Sequence, residues 1–539
     1  MNVGSATYRR LASVAAIVLV AIVAMVALRA APAAAHAQFD HSDPPANSVL
    51  SATPARIQTY FTESLEHSYS RLLLYDQNGA LVQGTQTLFD ATNPRAMVLV
   101  LPNTALPNGT YSVVWRTLSA DDGHQAQGYF AFTLGTAADI RSVIPPATAV
   151  SAGTSIWLLT LARWLPLLGL AFVVAAWPIW LLVMRPAISP AWQAGPDLTR
   201  RYRRLVVFGF AFSLVALVAA LLIEASGLDS GSFFSDVKTS LGTRYGHLWL
   251  LRLGLLALLG MALMICAWWR PLQHRAITGL ALALTIAAPL PYSMISHASA
   301  ESVGRSTAIA ADLIHLLGAA IWVGGLFYLV GALLPELRRL TPAGRRVVLG
   351  RALPRFSFVA LTAWVLMGIS GLYSAWLHVG NLNGLFHTAY GHSLDAKLIL
   401  LAIVLPFAAF NLLIVERKLR QSSDETATRR WTTRFTISVA AEALLVIAVL
   451  FTVGRLTAQS PARDEVTLAA NQVTLPLDFN GRASTLTLAP GKAGPNHYRL
   501  DVSGDTLPAK TEALIRLAPA AVNTGLKEIA LVRSAGNVF

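Results

Sequence analysis

The sequence predicts a multi-domain membrane protein with an N-terminal β-sandwich, a bundle of eight transmembrane α-helices and a partial β-sandwich at the C-terminus. Three observations predict this fold class. The 539 residues are 54% hydrophobic and only 13% charged, which is too apolar for a soluble enzyme of this size. Eight apolar runs have the length that a helix needs to cross a bilayer, about 20 residues. Short alternating runs typical of β-strands stand before and after them.

Residues 1–35 have the pattern of a secretory signal peptide. Two arginines precede an apolar run over residues 11–28, and three alanines at 33–35 provide a small-residue cleavage site. An uncleaved membrane anchor is the alternative, because the apolar run is long and Arg29 follows it. In either case we expect the next domain to lie outside the cytoplasm.

Residues 36–135 have the pattern of a small β-sandwich of the immunoglobulin-like or cupredoxin-like Greek-key kind. Short β-rich runs such as 57–61, 71–75 and 111–117 are separated by turn signals such as Asn-Gly at 78–79. A linker over 136–154, which contains Pro, Ala and Ser, leads from this domain to the membrane.

This domain carries residues that could hold a metal ion. If cleavage follows Ala35, His36 becomes the first residue, and its free amine and imidazole can chelate one metal ion together. Asp122 and His124 are two residues apart, so they could point the same way in an extended segment. These four groups would suit square-planar Cu(II). The alternative for Asp122 and His124 is a loop pair that caps a turn.

We place the membrane domain over residues 155–456. Its spans lie near 155–184, 205–225, 248–268, 276–294, 307–334, 357–377, 396–415 and 435–455. The loops that this order places inside hold 19 Lys or Arg, whereas the outer loops hold 3, as the positive-inside rule requires. The net charge of +14 therefore reflects topology, and we exclude a nucleic-acid partner. Cys266, the only cysteine, lies within a span, so a thiolate metal site is also excluded.

The fifth span carries Asp312 and His315, although ionisable groups at membrane depth cost about 2.5 to 3.5 kcal/mol on insertion scales. Their spacing of three places them on one helix face. An oxygen beside an imidazole nitrogen can serve a copper or zinc ion, a proton relay or a haem iron, but a buried pair that only ties helices together fits the spacing equally well. Glu442 in the eighth span is another intramembrane acid, either a proton carrier or a partner of Arg434.

Histidines concentrate at the outer side of the predicted membrane domain. Five of them lie in outer loops or at outer helix ends, and only His274 faces the cytoplasm. This bias indicates a metal route that is entered from outside, although His378, His387 and His392, taken singly, are interpreted as incidental. The five are His247, His297, His378, His387 and His392.

Residues 461–539 turn polar and alternate again, as in 465–468, 484–488 and 498–502. The pattern predicts a second periplasmic β-domain, which is short for a complete sandwich. His497 stands alone in it, so we predict no metal site there.

The N-terminal domain resembles the periplasmic copper-binding CopC family. The resemblance rests on HAQFDHSDPPANSVL, FTES and LPNGTYSVVWRTLSADDGHQAQGYFAF. It implies that His36, Asp122 and His124 bind Cu(II), with Asp121 as a competitor for the carboxylate role. Met97 is the only methionine of the domain, so we predict no Cu(I) site in it. Two further histidines of the domain are interpreted as ordinary surface residues, His41 and His67.

The membrane domain resembles the CopD copper-resistance family in GTRYGHLWLLR, SHASA, DLIHLLGAAIWVGGL and TAYGHSLDAKLIL. The resemblance implies copper transport across the bacterial inner membrane, with His297, Asp312 and His315 as the candidates that touch the ion. Gly324 and Gly325 in the third of these motifs are expected to allow close helix approach. No nucleotide-binding loop of the GxxxxGK[ST] kind occurs, so we expect no nucleotide partner.

We therefore expect a multi-pass inner-membrane protein that binds copper in the periplasm and moves it toward the cytoplasm, without enzymatic activity. Its partners would be the copper ion, the lipid bilayer and a periplasmic copper donor. One alternative is a membrane oxidoreductase whose transmembrane histidines bind haem, but haem between helices usually needs paired, deep histidines and only His315 is clearly deep. The other alternative is a copper sensor or sequestering protein without flux.

Overall fold

The structure is a computed structural model. It describes residues 37–136 (except 38, 47, 103, 122 and 124), 154–187, 195–228, 232–268, 275–463 (except 302, 303, 422 and 423), 473–479, 481–489, 497–504, 507–508, 511, 513–517, 527–531 and 538. The predicted signal peptide and most of the predicted linker lie outside these residues. The chain divides into two compact units, one with residues 154–462, here called the membrane unit, and one with residues 34–153 and 463–539.

The N-terminal region is a β-sandwich of two four-stranded sheets, as the sequence predicts. One sheet has the order β1-β3-β6-β5 and the other the order β2-β8-β7-β4. All pairs are antiparallel except β2 with β8. The strands are β1 (Phe39–Asp43), β2 (Val49–Leu50), β3 (Arg56–Phe61), β4 (Arg71–Tyr75), β5 (Gln86–Phe89), β6 (Ala96–Val100), β7 (Gly109–Leu118) and β8 (Gln125–Leu134).

Aromatic side chains from both sheets fill the space between them. Phe39 stacks on Phe130 at 4.8 Å, and Phe61 meets the edge of Trp115 at 5.6 Å. The Trp115 ring also lies against Gly128 of β8, which has no β-carbon; one built there would lie 2.5 Å from the ring. This contact packs β7 closely against β8.

The membrane unit contains the eight predicted spans. Among the residues that the structure describes, eight helices have the length and hydropathy needed to cross a bilayer. They are α1 (Ile156–Ala187), α2 (Asp197–Ala225), α3 (Arg244–Ile265), α4 (Ala276–Ser293), α5 (Arg305–Leu337), α6 (Pro342–Val379), α7 (Ala389–Leu419) and α8 (Glu425–Leu456). We call the ends that the positive-inside rule assigns to the cytoplasm inner ends, and the opposite ends outer ends.

Several helices continue past the apolar runs at their inner ends. The helix of α6 begins at Pro342, although the apolar run starts near residue 357. Thr341 caps it by accepting a 3.2 Å hydrogen bond from the Gly344 amide. Hydropathy marks the part of a helix that lies in lipid, so it misses the charged turns beyond the bilayer.

Small residues let α5 approach α1 closely. A β-carbon on Gly324 would collide with the carbonyl oxygen of Ala171, and one on Gly325 would lie 2.9 Å from Ile179. Tyr328, one turn further along α5, donates a 3.0 Å hydrogen bond to the carbonyl of Phe172. The expected role of the two glycines in helix packing fits these contacts.

Three spans contain a π-helical segment in their inner halves. The segments are Trp180–Met184 in α1, Leu329–Leu333 in α5 and Phe410–Val415 in α7. A proline lies within four residues of each segment, at 178, 335 and 406. Proline removes a backbone donor, and single π turns are a common way for a helix to absorb such a break.

The C-terminal region is a small β-structure, as predicted. A three-stranded antiparallel sheet has the order β11-β10-β9, and β12 pairs with β13. The strands are β9 (Val473–Phe479), β10 (Arg482–Ala489), β11 (His497–Val502), β12 (Ala513–Leu517) and β13 (Lys527–Leu531). The predicted runs 484–488 and 498–502 lie in β10 and β11, whereas residues 465–468 lie outside the described residues.

Candidate functional site

The three predicted Cu(II) ligands of the N-terminal domain, His36, Asp122 and His124, lie outside the described residues. The residue after His36 is described, and it is firmly held. Ala37 is fully buried, and its carbonyl oxygen accepts a 2.8 Å hydrogen bond from the Thr117 hydroxyl, near the end of β7. The chain therefore enters the sandwich beside the strand that leads to the Asp-x-His segment.

The loop that carries the Asp-x-His segment closes the β7–β8 hairpin. Leu118 and Gln125 are the last pair of the hairpin, so the ends of this loop lie side by side. Asp121 within it accepts a 3.3 Å hydrogen bond from the Ser64 amide, which ties the loop to the neighbouring connection. This bond gives Asp121 one structural contact, and the choice of Asp122 over Asp121 as the carboxylate ligand stays a prediction.

The remaining histidines and the methionine of this domain have ordinary surroundings. His41 is exposed and stacks on Tyr60 at 4.2 Å, and His67 is exposed and stacks on Phe89 at 4.0 Å. Met97 is fully buried in the sandwich core. These positions agree with the interpretation of both histidines as surface residues.

In the membrane unit, histidines from distant parts of the chain meet at the outer ends of the helices. His297 lies in a 3₁₀ turn between α4 and α5, and His378 lies in the last turn of α6. Their ring centroids are 5.9 Å apart at an interplanar angle of 63°, and the Tyr390 ring of α7 is 6.2 Å from that of His297. All three side chains are buried, with exposed fractions of 5%, 5% and 4%.

A buried carboxylate completes this outer cluster. Glu301 is 4% exposed, and its Oε1 atom lies 3.5 Å from Nδ1 of His378. Sequence reasoning assigned neither residue a role, since His378 was grouped with incidental outer histidines. A signal was present, because His378 ends an apolar run and opens a stretch, residues 378–395, that contains no Lys or Arg.

Asp312 lies two turns into α5, next to the segment that carries His297. Its Oδ2 atom accepts a 3.2 Å hydrogen bond from the hydroxyl of Ser296, the residue before His297. Lys397 of α7 lies near enough for its charge to act on both Asp312 and His315. Sequence reasoning missed Lys397, although a lysine two turns into a span is the kind of residue that marks a functional position.

His315 faces α6 rather than the outer cluster. Its Nδ1 atom lies 3.1 Å from the Met367 carbonyl oxygen and 3.1 Å from the Ser370 hydroxyl. Because a carbonyl oxygen only accepts, Nδ1 must carry the proton in this bond, and a neutral ring then has its lone pair on Nε2. That tautomer is the one in which Nε2 can bind a metal ion. Trp322, further along α5, packs edge-on against Trp364 at 5.1 Å and belongs to the core.

The three predicted residues of the membrane path therefore have separate partners. In the part of the chain that the structure describes, no three His, Cys, Asp or Glu side chains are grouped closely enough to hold one metal ion. His297 lies in the outer cluster, Asp312 is joined to it through Ser296, and His315 lies beyond Asp312. The arrangement is a series of separate candidate binding positions rather than one closed coordination site.

The inner half of the membrane unit buries carboxylates of another kind. Glu442 of α8 is 3% exposed and accepts a short hydrogen bond from the amide nitrogen of Asn411, which lies in the π segment of α7. Its partner is thus Asn411, whereas the Arg434 guanidinium lies over the Trp431 ring at 4.7 Å. At the inner end of α5, Glu336 lies 3.5 Å from the guanidinium of Arg201.

Comparison with known proteins relates this amino-acid sequence to two protein families. The model of the CopC domain matches residues 39–135, and that of copper resistance protein D (CopD) matches residues 350–456. Copper transport protein CutJ of Bacillus subtilis is 26% identical over 479 residues, which are 87% of this chain and 82% of that protein. Copper resistance protein C of Escherichia coli is 32% identical over 108 residues, which are 19% of this chain and 83% of that protein.

The chain belongs to the CopC–CopD copper-resistance family. Inner membrane protein YebZ of Escherichia coli is similar to the membrane part, with 27% identity over 284 residues, 50% of this chain and 93% of that protein. Membership confirms the expected copper-related function, and the eight helices confirm a multi-pass membrane protein. The CopD match begins at residue 350, so His378 and Lys397 fall within it, whereas His297, Asp312 and His315 precede it.

Proposed function

We propose that this CopC–CopD protein binds Cu(II) in its N-terminal domain and moves copper across the bacterial inner membrane toward the cytoplasm, without catalysing a reaction. Both β-domains would lie in the periplasm, where a copper donor would load the N-terminal one. The observation that carries the proposal is the series of imidazole and carboxylate groups that runs inward from the outer end of α5, from the buried His297 to the half-buried Asp312 and His315. Copper resistance and transport functions named for its relatives support it.

The N-terminal site would hold Cu(II) through the amine and imidazole of His36, the carboxylate of Asp122 and the imidazole of His124. Nitrogen and oxygen donors in one plane suit Cu(II). The bonds that hold Ala37 and Asp121 support this assignment, because they bring the two ligand-bearing segments to the same end of the sandwich.

Within the membrane, the protein must replace the hydration shell of the ion. A cation moved into a low-dielectric interior needs ligands and a compensating charge. Asp312 can supply the charge and Nε2 of His315 can supply a nitrogen ligand. The positive charge of Lys397 would repel a copper ion bound near these residues. The ion and the lysine ammonium would therefore compete for electrostatic attraction to the Asp312 carboxylate.

Copper uptake into proteoliposomes tests this proposal. We expect the wild-type protein to take up copper above the level of empty liposomes, and Asp312→Ala or His315→Ala to lower the rate at least about tenfold, since each removes a charge or ligand at membrane depth worth more than about 1.4 kcal/mol. His387→Ala, which removes an exposed outer histidine, is the matched control. Cu(II) binding by the N-terminal domain should be unchanged in all variants.

Two outcomes would contradict the proposal. Absence of wild-type uptake with either copper valence would support sensing or sequestration instead. A Soret band in the visible spectrum of the purified protein would support the haem-binding alternative.

A further inference from the structure

We propose that His297 and His378 together form the copper entry site of the membrane unit, and that Glu301 is the positioning residue of His378. The inference rests on the proposed function and deepens it, because the predicted path contained His297 but neither of the other two residues. The site would take a copper ion as two imidazole ligands and leave its other coordination positions open.

The separation of the two rings fits a shared ion. Imidazole nitrogens bind metals such as zinc at about 2.0 Å, so two rings on opposite sides of one ion have centroids about 6 Å apart. The observed distance is 5.9 Å, and the interplanar angle of 63° leaves the rings free of stacking. Imidazole suits copper, and the pair is drawn from two segments that lie about 80 residues apart in sequence.

Glu301 gives His378 the orientation of a metal ligand. A histidine that binds a metal through one nitrogen almost always donates its other N–H to a carboxylate, a backbone carbonyl or water. Glu301 Oε1 faces His378 Nδ1 at 3.5 Å, a charge contact longer than an N–H···O hydrogen bond, so a slightly closer approach on copper binding would let Nδ1 donate to the carboxylate and leave Nε2 for the ion. The carboxylate also offsets part of the ion's charge in a place where both side chains are buried.

The position of the pair is that of an entrance. It lies at the outer ends of α4, α5 and α6. Residues 378–395, which include the connection between α6 and α7, carry no Lys or Arg, whereas Arg244 on the other side donates a hydrogen bond to the Met294 carbonyl. Ser296, the residue before His297, donates a hydrogen bond to Asp312. The next carboxylate of the proposed path is therefore in contact with the residue that precedes His297. With only two protein nitrogens, the site can release the ion inward more easily than a closed four-ligand site.

Uptake measured against external copper concentration tests the role of the pair. His378→Phe keeps an aromatic ring beside His297 but removes both nitrogens. We expect its half-saturating copper concentration to rise about tenfold or more while the maximal rate stays within about twofold. The reason is that an entry site determines how tightly external copper is first bound, whereas later steps determine the maximal rate. His392→Phe, which replaces an exposed outer histidine, should match the wild type.

Glu301→Gln and Glu301→Asp separate positioning from folding. We expect Glu301→Gln to raise the half-saturating concentration by about tenfold, as is usual when the carboxylate partner of a metal-binding histidine is lost. Glu301→Asp, which keeps the charge, should recover part of that loss. A role in folding alone would instead lower the maximal rate in proportion to the amount of folded protein.

Direct copper retention distinguishes this inference from the proposed function. In a His36→Ala, His124→Ala background, the detergent-purified full chain is incubated with Cu(I) or Cu(II), and the bound copper is counted. Loss of about one ion in His378→Phe supports the site. Equal retention, or an uptake curve identical to that of the wild type, would overturn the inference and leave the proposed function standing. Retention at the pair without any wild-type uptake would overturn the proposed function and leave the copper site in place.

Discussion

The outer and inner halves of the membrane unit both bury polar side chains but use different chemistry. In the outer half, imidazoles meet other imidazoles and a carboxylate, as at His297, His378 and Glu301. In the inner half, the two carboxylates described above each face a fixed nitrogen donor, Asn411 for Glu442 and Arg201 for Glu336. Imidazole nitrogens and a carboxylate oxygen are groups that can bind a copper ion, whereas the inner carboxylates lie against an arginine or an amide of a neighbouring helix. The outer half is therefore suited to handling an ion, and the inner half to holding the helices together.

The largest effect is expected when the inner ion pair between α2 and α5 is removed. This experiment tests whether the buried charges of the inner half stabilise the helix packing. Arg201→Ala would leave Glu336, which is 2% exposed, without its counter-charge, and we expect a loss of about 3 kcal/mol in the free energy of unfolding. The control is Arg339→Ala at the same membrane face, where the pair with Asp197 is exposed and should contribute less than about 1 kcal/mol. Thermal unfolding in one detergent measures both. Equal losses would break the proposed division.

A smaller effect is expected where the inner carboxylate has a neutral partner. Asn411→Leu removes the amide that donates to Glu442, and leaving a buried acceptor unsatisfied costs about 1 to 3 kcal/mol. Glu442→Gln keeps an acceptor for the same amide and should cost less than about 1 kcal/mol. Both variants are compared by thermal unfolding. A neutral Asn411→Leu would mean that another group satisfies this carboxylate.

The smallest effect should come from the outer half, at the support of His315. Ser370→Ala removes one of two groups bonded to Nδ1, while the Met367 carbonyl keeps the ring in the same tautomer. One neutral hydrogen bond is worth about 0.5 to 1.5 kcal/mol, so we expect copper uptake to fall about threefold. The free energy of unfolding should fall by no more than about 1.5 kcal/mol. A loss as large as that of His315→Ala would show that the serine, rather than the carbonyl, fixes the imidazole.

The sequence predicts well those features that depend on local composition. Eight apolar runs define eight spans, and the arginine-rich loops define which ends face inward, because both signals are written in consecutive residues. The face shared by Asp312 and His315 follows from helical spacing alone. The alternating runs likewise predict the β-sandwich, whose strands agree closely with the structure.

Features that depend on which helix meets which could not be predicted. Nothing near Glu301 in the sequence indicates that it lies beside His378, because their contact depends on how α6 ends against the α4–α5 connection. For the same reason the sequence left open whether Glu442 carries a proton or pairs with Arg434. In the structure, Glu442 accepts a hydrogen bond from Asn411. Lys397 was missed because its importance appears only when α7 is placed beside α5.

The π segment of α5 changes how the path can continue past His315. A π turn accommodates one more residue than an α turn, so the helix beyond Leu329–Leu333 is rotated by about 100° relative to an uninterrupted one. A helical wheel drawn from Asp312 and His315 therefore gives the wrong side of α5 near its inner end. The same offset applies to α1 and α7. On each of these three helices, the side chains that face a given neighbour before the π segment belong to a different helical stripe from those that face it after the segment. An ion moving inward along the proposed path would therefore meet a different helix face in the inner half.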